Sequence, residues 1–138
     1  MKSVLDTNAL VSGLKTPGGT CAQILFLALD GYVTLCVDHR ILDEYRRVCR
    51  DPALRLDPVP VRTVLDFLEE SSERVTGLPV SVTLPDPSDA PFLEVASAAG
   101  ACLVTGNIRH FPPIARRDVE VVTPRELLDL LGRHAGRA

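Results

Sequence analysis

Val4-Leu5-Asp6-Thr7-Asn8 changes abruptly from apolar to polar close to the amino terminus. Lys2 to Leu5 predicts a short strand, and Asp6 then stands where that strand ends. A strand met so early often lies at the centre of a parallel sheet, because crossover connections can leave it on either side. Open parallel sheets gather their chemistry at the carboxyl ends of their strands. Asp6 is therefore expected where a functional carboxylate would stand, and the rest of the chain is read for its partners.

Strand and helix patterns alternate from there to the end. Asn8 to Leu14 predicts a helix capped by Thr7 or Asn8, broken at Thr16-Pro17-Gly18-Gly19. Thr20 caps a second helix that ends at Gly31. Val33 to Val37 reads as a buried strand, and Asp38 caps a helix from His39 to Arg50. Asp57-Pro58 opens another, expected to run to about Arg74. Gly77 to Pro87 is extended, with a short strand expected near Val80 to Val82. Ser88 or Asp89 caps an alanine-rich helix ending at Gly100. Ala101 to Thr105 and Val119 to Val122 are strands flanking a loop from Gly106 to Pro113. Pro124 suits the first turn of a closing helix to Leu131, and residues 132–138 read as a frayed tail. This alternation predicts an α/β fold with parallel strands and helices on both faces. With no repeat, linker or low-complexity block, residues 1–138 read as one domain.

Composition narrows the class. The chain's 138 residues are ample for one core, and 46% apolar with 24% charged is an ordinary globular balance. The net charge of -3 announces no polyanion partner, although local patches matter more than the sum. Cys21, Cys36, Cys49 and Cys102 are widely spaced in apolar runs, so they read as reduced core residues of a cytoplasmic protein. The strongest apolar run, Ile24 to Leu29, is far short of the ~20 residues a membrane span needs. There is no G-x-x-x-x-G-K-[ST] and no G-x-G-x-x-G, and Gly18-Gly19 follows no strand. Asp6 is not followed by a second Asp two places on, which argues against one common phosphatase motif.

The acids fall into three groups. In the helix from His39, Ile41, Leu42, Tyr45, Val48 and Cys49 share one face. Glu44 borders that face, while Asp43 points to solvent. A carboxylate on such a border costs desolvation energy unless something compensates it; an edge salt bridge with Arg47 or Arg40 is an equally good reading. Asp86 and Asp89 lie in Leu84-Pro-Asp-Pro-Ser-Asp89, where one suits a turn and the other a helix start. Glu94 reads as a solvated helix residue, although one turn along from Asp89 it could face the same cleft. Leu103-Val-Thr105-Gly106-Asn107 repeats the arrangement at Asp6, an apolar strand followed by polar residues. Asn107 there offers an amide oxygen or orients water, and turn chemistry is the bland alternative. Together these put oxygen ligands at one edge of the sheet. Crowded carboxylates raise one another's pKa, and a divalent cation removes that penalty. A set without cysteine or histidine suits Mg²⁺ or Mn²⁺ rather than zinc.

The ordered motifs resemble those of the PIN domain, a metal-dependent nuclease fold found in many bacterial toxins. Leu5-Asp6-Thr7-Asn8 resembles the opening acidic motif, and Glu44 in Ile-Leu-Asp-Glu-Tyr resembles the second acid. Asp89, starting Asp-Ala-Pro-Phe-Leu-Glu-Val-Ala, resembles the third, and Asp86 resembles the extra acid in the DPxD form of one subgroup. Leu-Val-Thr105-Gly106-Asn107 followed by His110-Phe111 resembles the closing motif, with Asn107 where the family often has Asp.

The resemblance implies a three-layer α/β/α sandwich around a mainly parallel sheet, with Mg²⁺- or Mn²⁺-dependent endoribonuclease activity. It implies catalytic roles for Asp6, Glu44, Asp89 and Asn107. Asp6, Glu44, Asp86 and Asp89 would ligate metal, with Asn8 and Thr105 supporting them. It also implies a toxin role, a cognate antitoxin protein and a homo-oligomer such as a dimer. Arg109, Arg116 and Arg117, with His110, are expected to form a phosphate-binding patch for RNA; Arg46, Arg47 and Arg50 form a second candidate patch. The competing expectation is an inert PIN-like module that binds a partner protein or RNA without cleaving it.

Overall fold

Val4 and Leu5 are almost wholly buried, which requires their strand to be covered on both faces. In the structure, a computed structural model describing residues 1–135, that strand is indeed central. The sheet comprises β1 (Lys2–Leu5), β2 (Thr34–Val37), β3 (Glu73–Arg74), β4 (Cys102–Val104) and β5 (Val121–Val122), in the order β3-β2-β1-β4-β5. Every pairing is parallel. The helices are α1 (Thr7–Lys15), α2 (Thr20–Leu29), α3 (His39–Cys49), α4 (Pro58–Ser71), α5 (Ala90–Ala99), α6 (Pro113–Arg116) and α7 (Pro124–Ala135). The fold is a three-layer α/β/α sandwich.

Local chemistry sets the element ends. Asp38 accepts a bond from the Ile41 N–H at the start of α3, and Asp57 does the same for Val59 where Pro58 opens α4. Gly100, at φ 64, closes α5 in the left-handed conformation that glycine takes without strain. Gly13 lets α1 and α2 approach closely: a Cβ there would lie 2.8 Å from Leu25 Cδ1 and 3.2 Å from the Cys21 backbone. Cys21, Cys36 and Cys49 are buried, Cys102 is half-buried, and all four are free thiols. No helix among the described residues is long and apolar enough to cross a membrane.

Three segments depart from expectation. Helix α4 stops at Ser71 instead of continuing to Arg74, and Glu73–Arg74 form β3. The chain meets the free edge of β2 there, and Val75 N–H bonds to Val37 O just beyond the pairing. No strand forms near Val80 to Val82, because the Val80 N–H is taken by the Glu94 carboxylate instead of a neighbouring strand. Helix α7 runs on to Ala135; residues 136–138 of the expected tail lie outside the described residues.

Topology places the site. From β1 the chain moves outward on one side through β2 to β3, then returns to lay β4 and β5 on the other side. The order therefore reverses between β1 and β4. Open α/β sheets bind ligands in the crevice beyond the strand ends at such a reversal. Asp6 follows β1 there and Thr105 follows β4, with the Asp6 N–H bonded to Val104 O at 2.9 Å.

Candidate active site

Asp6 leaves β1 as the residue that caps α1, and its side chain is 4% exposed at the reversal point. Burial raises its pKa above the ordinary value, and the neighbouring charge of Glu44 adds to the rise. Hydrogen bonds oppose that shift without cancelling it. Thr105, fully buried at the end of β4, donates from Oγ1 to Asp6 Oδ2 at 2.8 Å, and Asn8 Nδ2 donates to the same oxygen at 3.3 Å. Asn8 Oδ1 accepts the Gly106 N–H, and Thr105 Oγ1 accepts the Asn107 N–H, both at 3.0 Å. The two strand ends are thus stitched together, and Asp6 Oδ2 is held in a fixed direction.

Glu44 comes in from α3. Its apolar neighbours Ile41 and Tyr45 are buried, so the helix can turn only one way. Thr7 Oγ1 donates to Glu44 Oε2 at 2.5 Å, linking the first turn of α1 to α3. On the outer side Arg47 lies 3.6 Å from Glu44 Oε1, itself 73% exposed. The edge salt bridge is therefore present, but it is loose and wet. Below this, the Tyr45 hydroxyl donates to Leu5 O, anchoring α3 to the end of β1.

Asp89 enters from the opposite side, where a 3₁₀ turn (Pro87–Asp89) runs into α5. It is 8% exposed, and its pKa is pushed up to about 6 by burial first and by the Asp6 charge second. Among the described residues, no group donates a hydrogen bond to its buried Oδ2. His110 Nδ1 stands 3.1 Å from that oxygen without hydrogen-bonding geometry. Asp86 is exposed at the rim, where bonds from the Ser88 hydroxyl and N–H hold its pKa below the ordinary value. Asn107 is exposed at the start of a second 3₁₀ turn (Ile108–His110), with its backbone fastened to Thr105.

The structure therefore gathers Asp6, Glu44 and Asp89 close enough to perturb one another electrostatically, with Asp86 beside Asp89. Asn8, Thr105 and Asn107 lie at the same edge. Among the described residues, no three acid, histidine or cysteine side chains already converge as a ligand set. The donor chemistry still fits a hard divalent cation. The available atoms are carboxylate and amide oxygens, two of the acids have raised pKa values, and one buried oxygen lacks a donor.

The arginines separate. Arg109 is exposed in the 3₁₀ turn beside Asn107. Arg116 directs its Nε to Phe111 O at 2.6 Å. Arg117 precedes Asp118, which accepts from Ser97 near the start of β4 and β5, so it lies toward the opposite edge. Of the second patch, Arg46 is engaged by Asp43 and Glu69.

Glu94 corrects the sequence reading. It is 7% exposed instead of solvated, and it pairs with Arg40 Nη1 at 2.7 Å. The signal was available: it is the lone charge in the helix Ala-Pro-Phe-Leu-Glu-Val-Ala-Ser-Ala-Ala, and a lone charge on an otherwise buried helix needs a partner. The bond from Thr7 to Glu44 and the contact of His110 with Asp89 lie outside that reading. Neither has a local signature, because each depends on which segments meet.

The sequence profile of the PIN domain matches residues 2–109. Solved structures show the same fold at low identity. PAE2754 from Pyrobaculum aerophilum has a TM-score of 0.60 at 16% identity, covering 96% of this chain and 90% of that one. VapBC2 from Rickettsia felis, solved bound to a DNA fragment from their promoter, has a TM-score of 0.57 at 17% identity, covering 89% and 98%. No curated protein matches the chain.

Proposed function

The chain belongs to the PIN-domain family, and from that premise we propose that it is a Mg²⁺- or Mn²⁺-dependent endoribonuclease acting on single-stranded RNA. The observation that carries this reading is the pair of buried carboxylates, Asp6 and Asp89, held at the reversal point with raised pKa values. Folding such a pair without compensation is costly, which is the expected signature of residues kept for a cation.

Asp6 and Asp89 would hold the cation directly, with Glu44 and Asp86 acting through water or at a weaker second position. When bound, it would lower the pKa of its water and neutralise charge on phosphoryl oxygens. The protein's own groups have distinct tasks. Thr105 and Asn8 aim Asp6 Oδ2, and Thr7 aims Glu44 Oε2. Asp89 Oδ2, which has no donor, is the oxygen free to receive a ligand or a proton. Asn107 would orient water with its amide, and Arg109 would meet the RNA backbone at the rim.

The family and the likeness to VapBC2 support a further part of the proposal: a toxin of a type II toxin–antitoxin pair, inhibited by a cognate antitoxin and acting as a homodimer in the cytoplasm. A second reading, an inert module that binds a partner protein or RNA, draws on Asn107 in place of an acid and on the absence of a converged ligand set among the described residues.

The deciding experiment is cleavage of single-stranded RNA in Mg²⁺ or Mn²⁺, with Asp6→Asn as control. Loss of several kcal/mol of charge stabilisation predicts about a 100-fold or greater fall in rate. Equal rates in the two proteins reject the assignment. Calorimetric titration that shows no Mn²⁺ binding, together with no cleavage, selects the inert module.

A further inference from the structure

Arg40 lies in the first turn of α3, one turn before Glu44, and its guanidinium is shared between two carboxylates, one at the start of α3 and one on α5. Nε and Nη2 reach Asp38 Oδ2 at 2.8 and 2.7 Å. Nη1 reaches Glu94 Oε1 on α5 at 2.7 Å. The other oxygens are also engaged: Asp38 Oδ1 accepts the Ile41 N–H, and Glu94 Oε2 accepts the Val80 N–H at 3.1 Å. Gly77 closes the assembly from above, since a Cβ there would lie 3.1 Å from Arg40 Nη2 and 3.0 Å from Glu94 Cβ. The whole network is built from carboxylates that are less than a tenth exposed.

The guanidinium itself is 37% exposed, and ion pairs with buried partners are poor evidence of stabilisation, because packed apolar residues of similar volume usually do as well. What it supplies is directional geometry: apolar contacts let two helices slide, whereas a planar guanidinium bonded to two carboxylates does not. The helices it joins are the two that carry site acids from opposite sides. Glu44 is on α3, and Asp89 immediately precedes α5. We infer that Arg40, through Glu94, is a positioning residue that sets the distance between Glu44 and Asp89, and so the capacity of the site for a divalent cation. This rests on the metal-dependent reading above for its consequence, though not for its geometry.

Arg40→Lys tests it, because an ammonium cannot span both carboxylates in the planar fork. In calorimetric titration of the purified protein with Mn²⁺, affinity is expected to fall about tenfold, as for other residues that orient ligands without touching the metal. The fall should occur with an unchanged circular dichroism spectrum. Arg40→Leu with Glu94→Leu keeps an apolar contact and removes the direction. It is expected to stay folded and to show the same loss; if it does not fold, Arg40→Lys decides alone. Glu94→Gln, which keeps an oxygen acceptor for Arg40, is expected to retain more affinity than either. Wild-type Mn²⁺ affinity in folded Arg40→Lys overturns the inference. If the wild-type protein itself binds no Mn²⁺, the metal-dependent reading fails. The pin is then judged without metal by amide exchange at Val80 and along the first turn of α5. Faster exchange in Arg40→Lys supports it, and an unchanged rate overturns it.

Discussion

Two pairs of buried carboxylates lie near the same ends of the same sheet and are treated in opposite ways. Asp38 and Glu94 share the guanidinium of Arg40, with their remaining oxygens on backbone N–H groups. Asp6 and Asp89 have no arginine or lysine against them among the described residues, and burial raises both pKa values. Similar exposure thus accompanies two different solutions to one desolvation problem. A carboxylate that is fully paired inside the protein is structural. One left short of positive charge is available to something from outside.

Removing Arg40, whose side chain is 37% exposed but whose two partners are buried, should have the largest effect on stability. Arg40→Leu leaves Glu94 and Asp38 buried without a counter-charge, so a loss of about 3 kcal/mol is expected in urea unfolding. The added Glu94→Leu change should recover only part of it, because Asp38 stays without its counter-charge and the Val80 N–H loses its acceptor. If the single variant is as stable as wild type, the two pairs do not differ as described.

Thr105→Val acts on the other pair. Asp6 loses its shortest donor and the Asn107 N–H loses its acceptor, for a cost of about 2 kcal/mol at neutral pH. The cost should shrink as pH falls, because burial raises the Asp6 pKa and a protonated Asp6 needs the donor less.

Asp6→Asn should move stability the other way, by about 1 kcal/mol at neutral pH, while cleavage is lost. It also bears on pH. The pKa of Asp89 rises from 3.8 to about 6 on folding, so between those values the native state keeps a proton that the unfolded state has released. Stability of the protein held in chelator should therefore fall as pH rises through about 4 to 6. In Asp6→Asn the fall should be shallower, since the Asp6 charge contributes to the rise. Equal slopes in the two proteins would place the two carboxylates too far apart to interact.

The smallest effect is expected for Arg47→Ala. Its contact with Glu44 is long and wet, so unfolding should change by no more than about 0.5 kcal/mol. A larger loss would mean that Glu44 already has its cation and belongs with the structural pair.

Much of this was legible in the residues. Alternating patterns predicted the parallel sheet, and the apolar-to-polar change at Asp6 located a strand end before any neighbour was known. The failures share a cause. Glu73–Arg74 are unremarkable as a strand and pair only because β2 offers an edge there. Val80 to Val82 have strand composition, yet Val80 donates to a side chain.

What the linear sequence determined was therefore local: which segments are helix or strand, and which acids sit at their ends. Propensity, capping and hydrophobic period act over a few residues, so they can be read without knowing what lies opposite. The division of labour among the acids was decided only by the tertiary structure. Desolvation and charge compensation depend on groups brought from 37 to 99 residues away, as with Thr7 on Glu44 and Thr105 on Asp6. The same is true of Arg40, which reaches Glu94 across 54 residues and makes that acid structural, while among the described residues Asp89 Oδ2 has only His110 beside it and accepts no hydrogen bond.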